Sequence, residues 1–246
     1  MVDNLTLDLS LQRQFLDLSE KEDDILLLYG PSGVGKSLLV AQFPDVLILG
    51  CDPGKRGGVP KTADKYKPKV IKVESYSHMM GLIPVLKEKA GKEFGMLAID
   101  SASFLHRMVM SNILTMVGRE IARFEEWNLA QERMKKILER TCEIPCPIIF
   151  TALDGTAKDE ITGKVTGGPD LPGKLQGEFP RYCSVVARLF VRTSYDKSGT
   201  LLSLYKFRVV GDDTWVGKDR TGLLPKEGET KWETFAPLFK KKEDLK

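Results

Sequence analysis

Eight consecutive residues carry the clearest chemistry in this chain of 246: Gly30-Pro31-Ser32-Gly33-Val34-Gly35-Lys36-Ser37. Glycines at 30, 33 and 35 open backbone conformations closed to other residues. Successive N–H groups can then turn inward and form a nest for phosphate oxygens. A lysine followed by a hydroxyl residue supplies a cation for the β and γ phosphates and an oxygen ligand for Mg²⁺. The spacing therefore assigns nucleotide binding to Gly30, Pro31, Ser32, Gly33, Val34, Gly35, Lys36, Ser37 and the adjoining Leu38, with Ser37 on the metal. The pattern has this meaning only between a strand and a helix. Ile25-Leu26-Leu27-Leu28-Tyr29 has the length and bulk of a buried strand, and Leu38 to Phe43 reads as helix. That helix would add its positive dipole end to the nest.

Two aspartates complete the chemistry. Met96-Leu97-Ala98-Ile99 delivers Asp100 at the end of an apolar run, the Walker B form, where a carboxylate orients a water of the Mg²⁺ shell. Val46-Leu47-Ile48-Leu49 is a further buried strand and ends in Gly50-Cys51-Asp52-Pro53-Gly54. Ligands bind at the carboxyl edge of open parallel sheets, so Asp52 is a candidate to polarise an attacking water or to reach Mg²⁺ through water. Turn chemistry before a proline accounts for it equally well. Thr151, near the end of Pro147-Ile148-Ile149-Phe150-Thr151-Ala152, would stand near a γ-phosphate and could sense its loss.

These residues need a frame. Strands are expected at 25–29, 46–49, 70–73, 96–100 and 147–152, and an alternating pair at 184–191 and 201–210. Helices are expected over 77–89, kinked or shortened by Pro84, and over most of 104–140, broken at Gly118. Residues 54–68 read as loop. Residues 154–178 hold six glycines, little apolar content and no aromatics before Phe179, and read either as a functional loop or as a simple flexible hairpin. Lys158, Lys164 and Lys174 within them suit contact with a phosphate backbone more than base stacking. Residues 1–24 are polar and leucine-dotted, an arm or an edge element, and the basic tail after Phe239 is expected to fray.

Composition narrows the classes. A net charge of +3 neither demands nor excludes nucleic acid. No run of about eighteen apolar residues occurs and the start does not read as a secretory leader, so a cytoplasmic protein without a membrane span is expected. Cys51, Cys142, Cys146 and Cys183 are then free thiols. The Cys142–Cys146 spacing is not one that binds zinc, and neither His78 nor His106 completes such a site.

The order of parts resembles the RecA-like ATPases encoded by phages, the group that includes RecA-related single-strand annealing proteins. The resemblance runs from about Asp24 to about Trp232. It rests on residues 30–37, on Leu97-Ala98-Ile99-Asp100, on Pro169-Asp170-Leu171-Pro172-Gly173-Lys174 and on Gly217-Lys218-Asp219-Arg220-Thr221-Gly222. It implies an α/β fold: a RecA-like core over 25–246 with a mainly parallel central sheet flanked by helices and a β-rich carboxyl-terminal part, preceded by the arm 1–24. It implies ATP with Mg²⁺, single-stranded DNA as ligand, and a homo-oligomeric ring or filament in which Lys218 and Arg220 act on a neighbour's nucleotide. Catalysis would fall to Lys36, Asp52, Asp100, Lys218 and Arg220. The chain departs from the family's Asp-x-Glu, showing Gly50-Cys51-Asp52, so slow hydrolysis is expected, or service by another carboxylate such as Glu74. The implied role is phage recombination, by annealing or strand exchange, in the cytoplasm of an infected bacterial host, with a single-strand-binding protein as a further partner. Two rivals stand beside it: a nucleotide-gated assembly protein with little turnover, and a P-loop small-molecule kinase, for which the sequence offers no arginine-rich lid.

Overall fold

The computed structural model describes residues 25–239 except 159, 161 and 197. The expectations for residues 1–24 and for the tail beyond Phe239 lie outside the described residues. The expected α/β architecture with a large, mostly parallel sheet is present. Its strands are β1 (Ile25–Tyr29), β2 (Val46–Gly50), β3 (Lys69–Lys72), β4 (Met96–Asp100), β5 (Ile148–Ala152), β6 (Asp154–Lys158), β7 (Val165–Pro169), β8 (Val185–Tyr195), β9 (Leu201–Arg208), β10 (Lys218–Asp219) and β11 (Glu227–Glu229). Its helices are α1 (Lys36–Val40), α2 (Tyr76–Lys89), α3 (Ala102–Val117), α4 (Phe124–Cys142), α5 (Leu175–Tyr182) and α6 (Trp232–Phe235).

The main sheet runs β11-β9-β8-β1-β5-β4-β2-β3, with β10 also paired to β8. The pairings from β8 to β3 are parallel, and β9, β10 and β11 extend the sheet antiparallel. β2, β4 and β5 are buried along their whole length, which is why each is a short continuous apolar run and not an alternating one. One layer of core lies between the sheet and α2, α3, α4 and α5, and contains Leu27, Leu97, Ile99, Leu105, Met134 and Phe150. The other packs α1 and the carboxyl-terminal segment on the opposite face, through Leu28, Leu39, Phe43, Ile149, Phe207 and Phe235. Each layer buries apolar area on one face of the sheet, and that area is the main stabilising term.

The topology places the chemistry. β5 lies between β1 and β4, with Phe150 opposite both Leu27 and Ile99. The loop after β1, Asp100 at the end of β4 and Thr151 on β5 therefore emerge together at one edge. α3 leaves β4 at once because Ser101 caps it, accepting from the Phe104 N–H. It stops where Gly118 adopts φ 64°. Pro84 does not shorten α2, which runs unbroken from Tyr76 to Lys89. Pro84 sits on the exposed face, where water can satisfy the carbonyl it leaves unbonded.

Of the two readings of residues 154–178, the hairpin is the one present: the described residues form β6 and β7, paired from Asp154–Pro169 to Lys158–Val165, and the first turn of α5. The glycines there serve close packing. A Cβ on Gly167 would lie 2.5 Å from the Trp215 ring, and its N–H donates to Thr214 O at 2.6 Å. Residues 54–68 likewise contain a 3-10 turn, Lys61–Tyr66, and fold back on β2, where Gly50 and Gly57 approach so closely that a Cβ on either would meet the other's backbone at 2.7 Å.

Candidate nucleotide site

Residues 30–37 leave β1 as the sequence requires. Gly33 and Gly35 have φ 82° and 89°, and Gly35 is the residue from which α1 starts. Gly30 is fixed by space as well as by φ 154°: a Cβ there would meet Leu189 O on β8 at 2.2 Å. Lys36 opens α1 and is buried. Its ammonium donates to Gly30 O at 2.7 Å and to Pro31 O at 2.8 Å. Burial lowers its pKa, and the carboxylates of Asp100, Asp154 and Asp52 work against that fall.

Asp100 is 2% exposed. Burial raises its pKa, while the hydroxyls of Ser37 and Thr151 and the Lys36 ammonium favour its charged form. Thr151 Oγ1 donates to Oδ1, whereas Oδ2 is buried with no hydrogen-bond partner. A buried oxygen left unpaired is costly, and an orphaned carboxylate oxygen beside a serine hydroxyl is the donor set of a hard oxygen-binding cation. Ser37 and Asp100 thus fit Mg²⁺.

Asp52 is half-buried at the end of β2. Its Oδ1 accepts from the Ser101 N–H and the Ser101 hydroxyl, both at 3.2 Å. Its pKa is raised to about 6, chiefly by burial and then by the Asp100 charge. Gly58 presses on it from the returning loop: a Cβ there would lie 2.8 Å from Asp52 Cβ.

These groups surround one cavity of about 650 Å³. It is lined by Ser32, Gly33, Val34, Gly35, Lys36, Ser37 and Leu38, by Asp52, Asp100 and Ser101, and further out by Phe104, Leu153, Gln42, Tyr205 and Thr230. The volume suits a nucleoside triphosphate. Lys36 is the one cation among the described residues that line it. The sequence reading therefore assembles seven loop residues, Asp52 and Asp100 in one place, with Gly30 shaping the loop's start and Pro31 exposed outside the wall. Glu74 is exposed and does not line the cavity, so Asp52 is the better placed carboxylate.

Lys218 and Arg220 are not brought to this cavity. The Lys218 ammonium donates to Pro180 O at the end of α5, and Arg220 is exposed beyond β10. Sequence reasoning missed Asp154, one residue past the cavity wall, whose carboxylate lies 3.6 Å from the Arg188 guanidinium. Arg188 in turn lies 3.5 Å from the centre of the Trp215 ring. The signal available was an aspartate just past β5 and an arginine within β8, the two strands beside β1, visible only once the strand order is known. No metal-binding cluster of His, Cys, Asp and Glu and no disulfide occurs among the described residues. No helix there is long and apolar enough to cross a membrane.

Asp52 gives a prediction of its own. Asp52→Asn keeps the two bonds from Ser101 but removes the proton acceptor, so turnover should fall about a hundredfold with nucleotide affinity held within a factor of a few. Steady-state phosphate release and calorimetric titration read the two quantities. Undiminished turnover would remove Asp52 from the water-activating role.

A family model described as an AAA domain matches residues 23–221. No curated protein matches the chain.

Proposed function

The chain belongs to the AAA-domain family of P-loop ATPases, and from that premise we propose that it hydrolyses ATP in this cavity and uses the cycle to hold and release single-stranded DNA. The convergence of Lys36, Ser37, Asp52 and Asp100 on one cavity carries the reading. The N–H groups of the loop hold the phosphates. Lys36 exchanges the carbonyls of Gly30 and Pro31 for γ-phosphate oxygens. Mg²⁺, held by Ser37 and through water by Asp100, would neutralise charge on the β and γ oxygens. Asp52 takes the proton as the water oxygen bonds to the γ-phosphorus and the bond to the β,γ-bridging oxygen breaks, giving ADP and phosphate. A carboxylate with a pKa of about 6 is ionised at neutral pH yet receptive to that proton.

One lining lysine is a small supply of positive charge for this transition state. An exposed Arg220 from a neighbouring copy in a ring or filament would add to it, with Lys218 buttressing the turn against α5. The hairpin of β6 and β7 supports the DNA part of the reading. It begins at Asp154, directly after the cavity-lining Leu153, and its outer half exposes Lys158 and Lys164. Phosphate loss and hairpin position can thus be coupled over a few residues. Phage origin and a recombination role extend the same proposal. The exposed Met116, Ile121 and Phe124 beside α3 and α4 favour a second reading, a nucleotide-gated protein that docks a protein partner.

ATP turnover with and without single-stranded DNA, across a salt series, separates the two. The DNA reading expects stimulation that fades steeply with salt, losing affinity with a log–log slope of about −0.7 per phosphate neutralised. Lys158→Glu with Lys164→Glu should flatten that slope by one to two phosphates' worth and leave DNA-free turnover unchanged. Turnover indifferent to DNA at every salt concentration would transfer the proposal to the protein-docking reading.

A further inference from the structure

We propose that the outer end of the cavity is a subsite for a purine base, built by Tyr205, Thr230 and Gln42. Resting on the ATP reading above, it names the part of the nucleotide that residues 30–37 cannot recognise. Tyr205 projects from β9 and is 48% exposed. Its ring comes within 3.8 Å of where a Gly35 Cβ would stand, so it flanks the phosphate loop, and it lines the cavity. Thr230 is placed beside it by the pairing of β11 with β9, continued by the Thr230 N–H donating to Tyr205 O at 3.1 Å.

Two polar groups point to a ligand. The Thr230 hydroxyl is buried with no hydrogen-bond partner, although the residue lines the cavity. The Gln42 amide is clamped in one orientation: Oε1 accepts from the Trp232 N–H at 3.2 Å, and Nε2 donates to Leu38 O at 3.3 Å. That leaves Gln42 one N–H to give. A hydroxyl that can donate or accept, an amide donor and an aromatic face match the edge and the π-surface of a purine. An unpaired buried hydroxyl is unfavourable until such an edge arrives.

Packing at the end of α1 holds Gln42 and the segment after Thr230 together. Phe43, next to Gln42, packs on Trp232 and Phe239 with ring centres 4.8 and 5.5 Å apart, so the carboxyl-terminal segment is fastened to the end of α1. Thr230 and Trp232 also lie beyond residue 221, where the family match ends. The subsite thus draws Thr230 from outside the span matched by the family, while Tyr205, Gln42 and the phosphate loop lie inside it.

The test is calorimetric titration of the full chain with ATP and with inorganic tripolyphosphate, both with Mg²⁺, for wild type, Tyr205→Ser and Thr230→Val. Melting temperatures of the free proteins report whether each variant folds. Wild type should bind ATP at least about tenfold more tightly than tripolyphosphate. Tyr205→Ser should weaken ATP about tenfold and Thr230→Val several-fold, both leaving tripolyphosphate unchanged. The proposal is overturned if folded variants bind ATP as wild type does, or lose ATP and tripolyphosphate equally, which would make Tyr205 a prop for the loop. Wild type binding neither ligand would remove the phosphate site itself, and the base subsite with it.

Discussion

Replacing Lys36 with alanine should lower ATP turnover at least about a thousandfold and weaken ATP binding about tenfold to a hundredfold. The asymmetry follows from where the charge is needed. In the ground state the phosphates are also held by loop N–H groups, so loss of one charged hydrogen bond costs about 1.5–3 kcal/mol. In the transition state Lys36 is the one cation that the described lining residues supply, and preorganised charge in a water-poor site counts for more there. The substitution also removes the bonds to Gly30 O and Pro31 O and takes the Lys36 charge away from Asp100 and Asp52. A moderate fall in melting temperature should accompany the loss of activity. Single-turnover hydrolysis with calorimetric titration checks both, and turnover kept within tenfold of wild type would contradict the role given to Lys36.

Asp100→Asn should move activity and stability in opposite directions. Turnover with Mg²⁺ should fall about a hundredfold to a thousandfold, because Ser37 alone is left to direct the cation. The free protein, freed of a buried charge whose Oδ2 has no partner, should gain about 1 kcal/mol, or roughly 2–4 °C in melting temperature for a chain of this size. Asparagine retains the oxygen that accepts from Thr151. The pH dependence has a definite sign. Burial makes the folded chain hold the Asp100 proton to higher pH than the unfolded chain does. Wild-type stability therefore declines with rising pH above about 4, the ordinary carboxylate range, and the variant is spared that decline. The difference between them should widen from acid to neutral pH in buffer containing a chelator. A variant less stable than wild type throughout would show that the Asp100 charge is structurally compensated.

Local pattern and long-range contact divide what the sequence discloses. The glycines of residues 30–37, the apolar runs of β1, β2, β4 and β5, and aspartates at two strand ends are local, and the residues they mark are ones the fold gathers around one cavity. The sequence does not decide between loop and hairpin at β6 and β7 because the stabilising partner, Trp215, comes far downstream of Gly167, and glycine in isolation signals freedom instead of a place for a ring. Tyr205 and Thr230 were equally hidden, since a tyrosine on an alternating strand and a threonine in a polar segment gain meaning only from the pairing of β9 with β11. Lys218 adds a contact that no motif discloses: its ammonium donates to Pro180 O near the end of α5.

The central claim is that residues 30–37 close around a triphosphate with Asp100 and Ser37 at its metal. A crystal structure of the full chain with Mg²⁺ and a non-hydrolysable ATP analogue tests it most directly. The account predicts phosphate density within the loop, the Lys36 ammonium moved from the carbonyls of Gly30 and Pro31 to the terminal phosphate, and metal density at Ser37 facing Asp100. An analogue bound elsewhere, or a loop unchanged with Lys36 still on those carbonyls at saturating analogue, would contradict it.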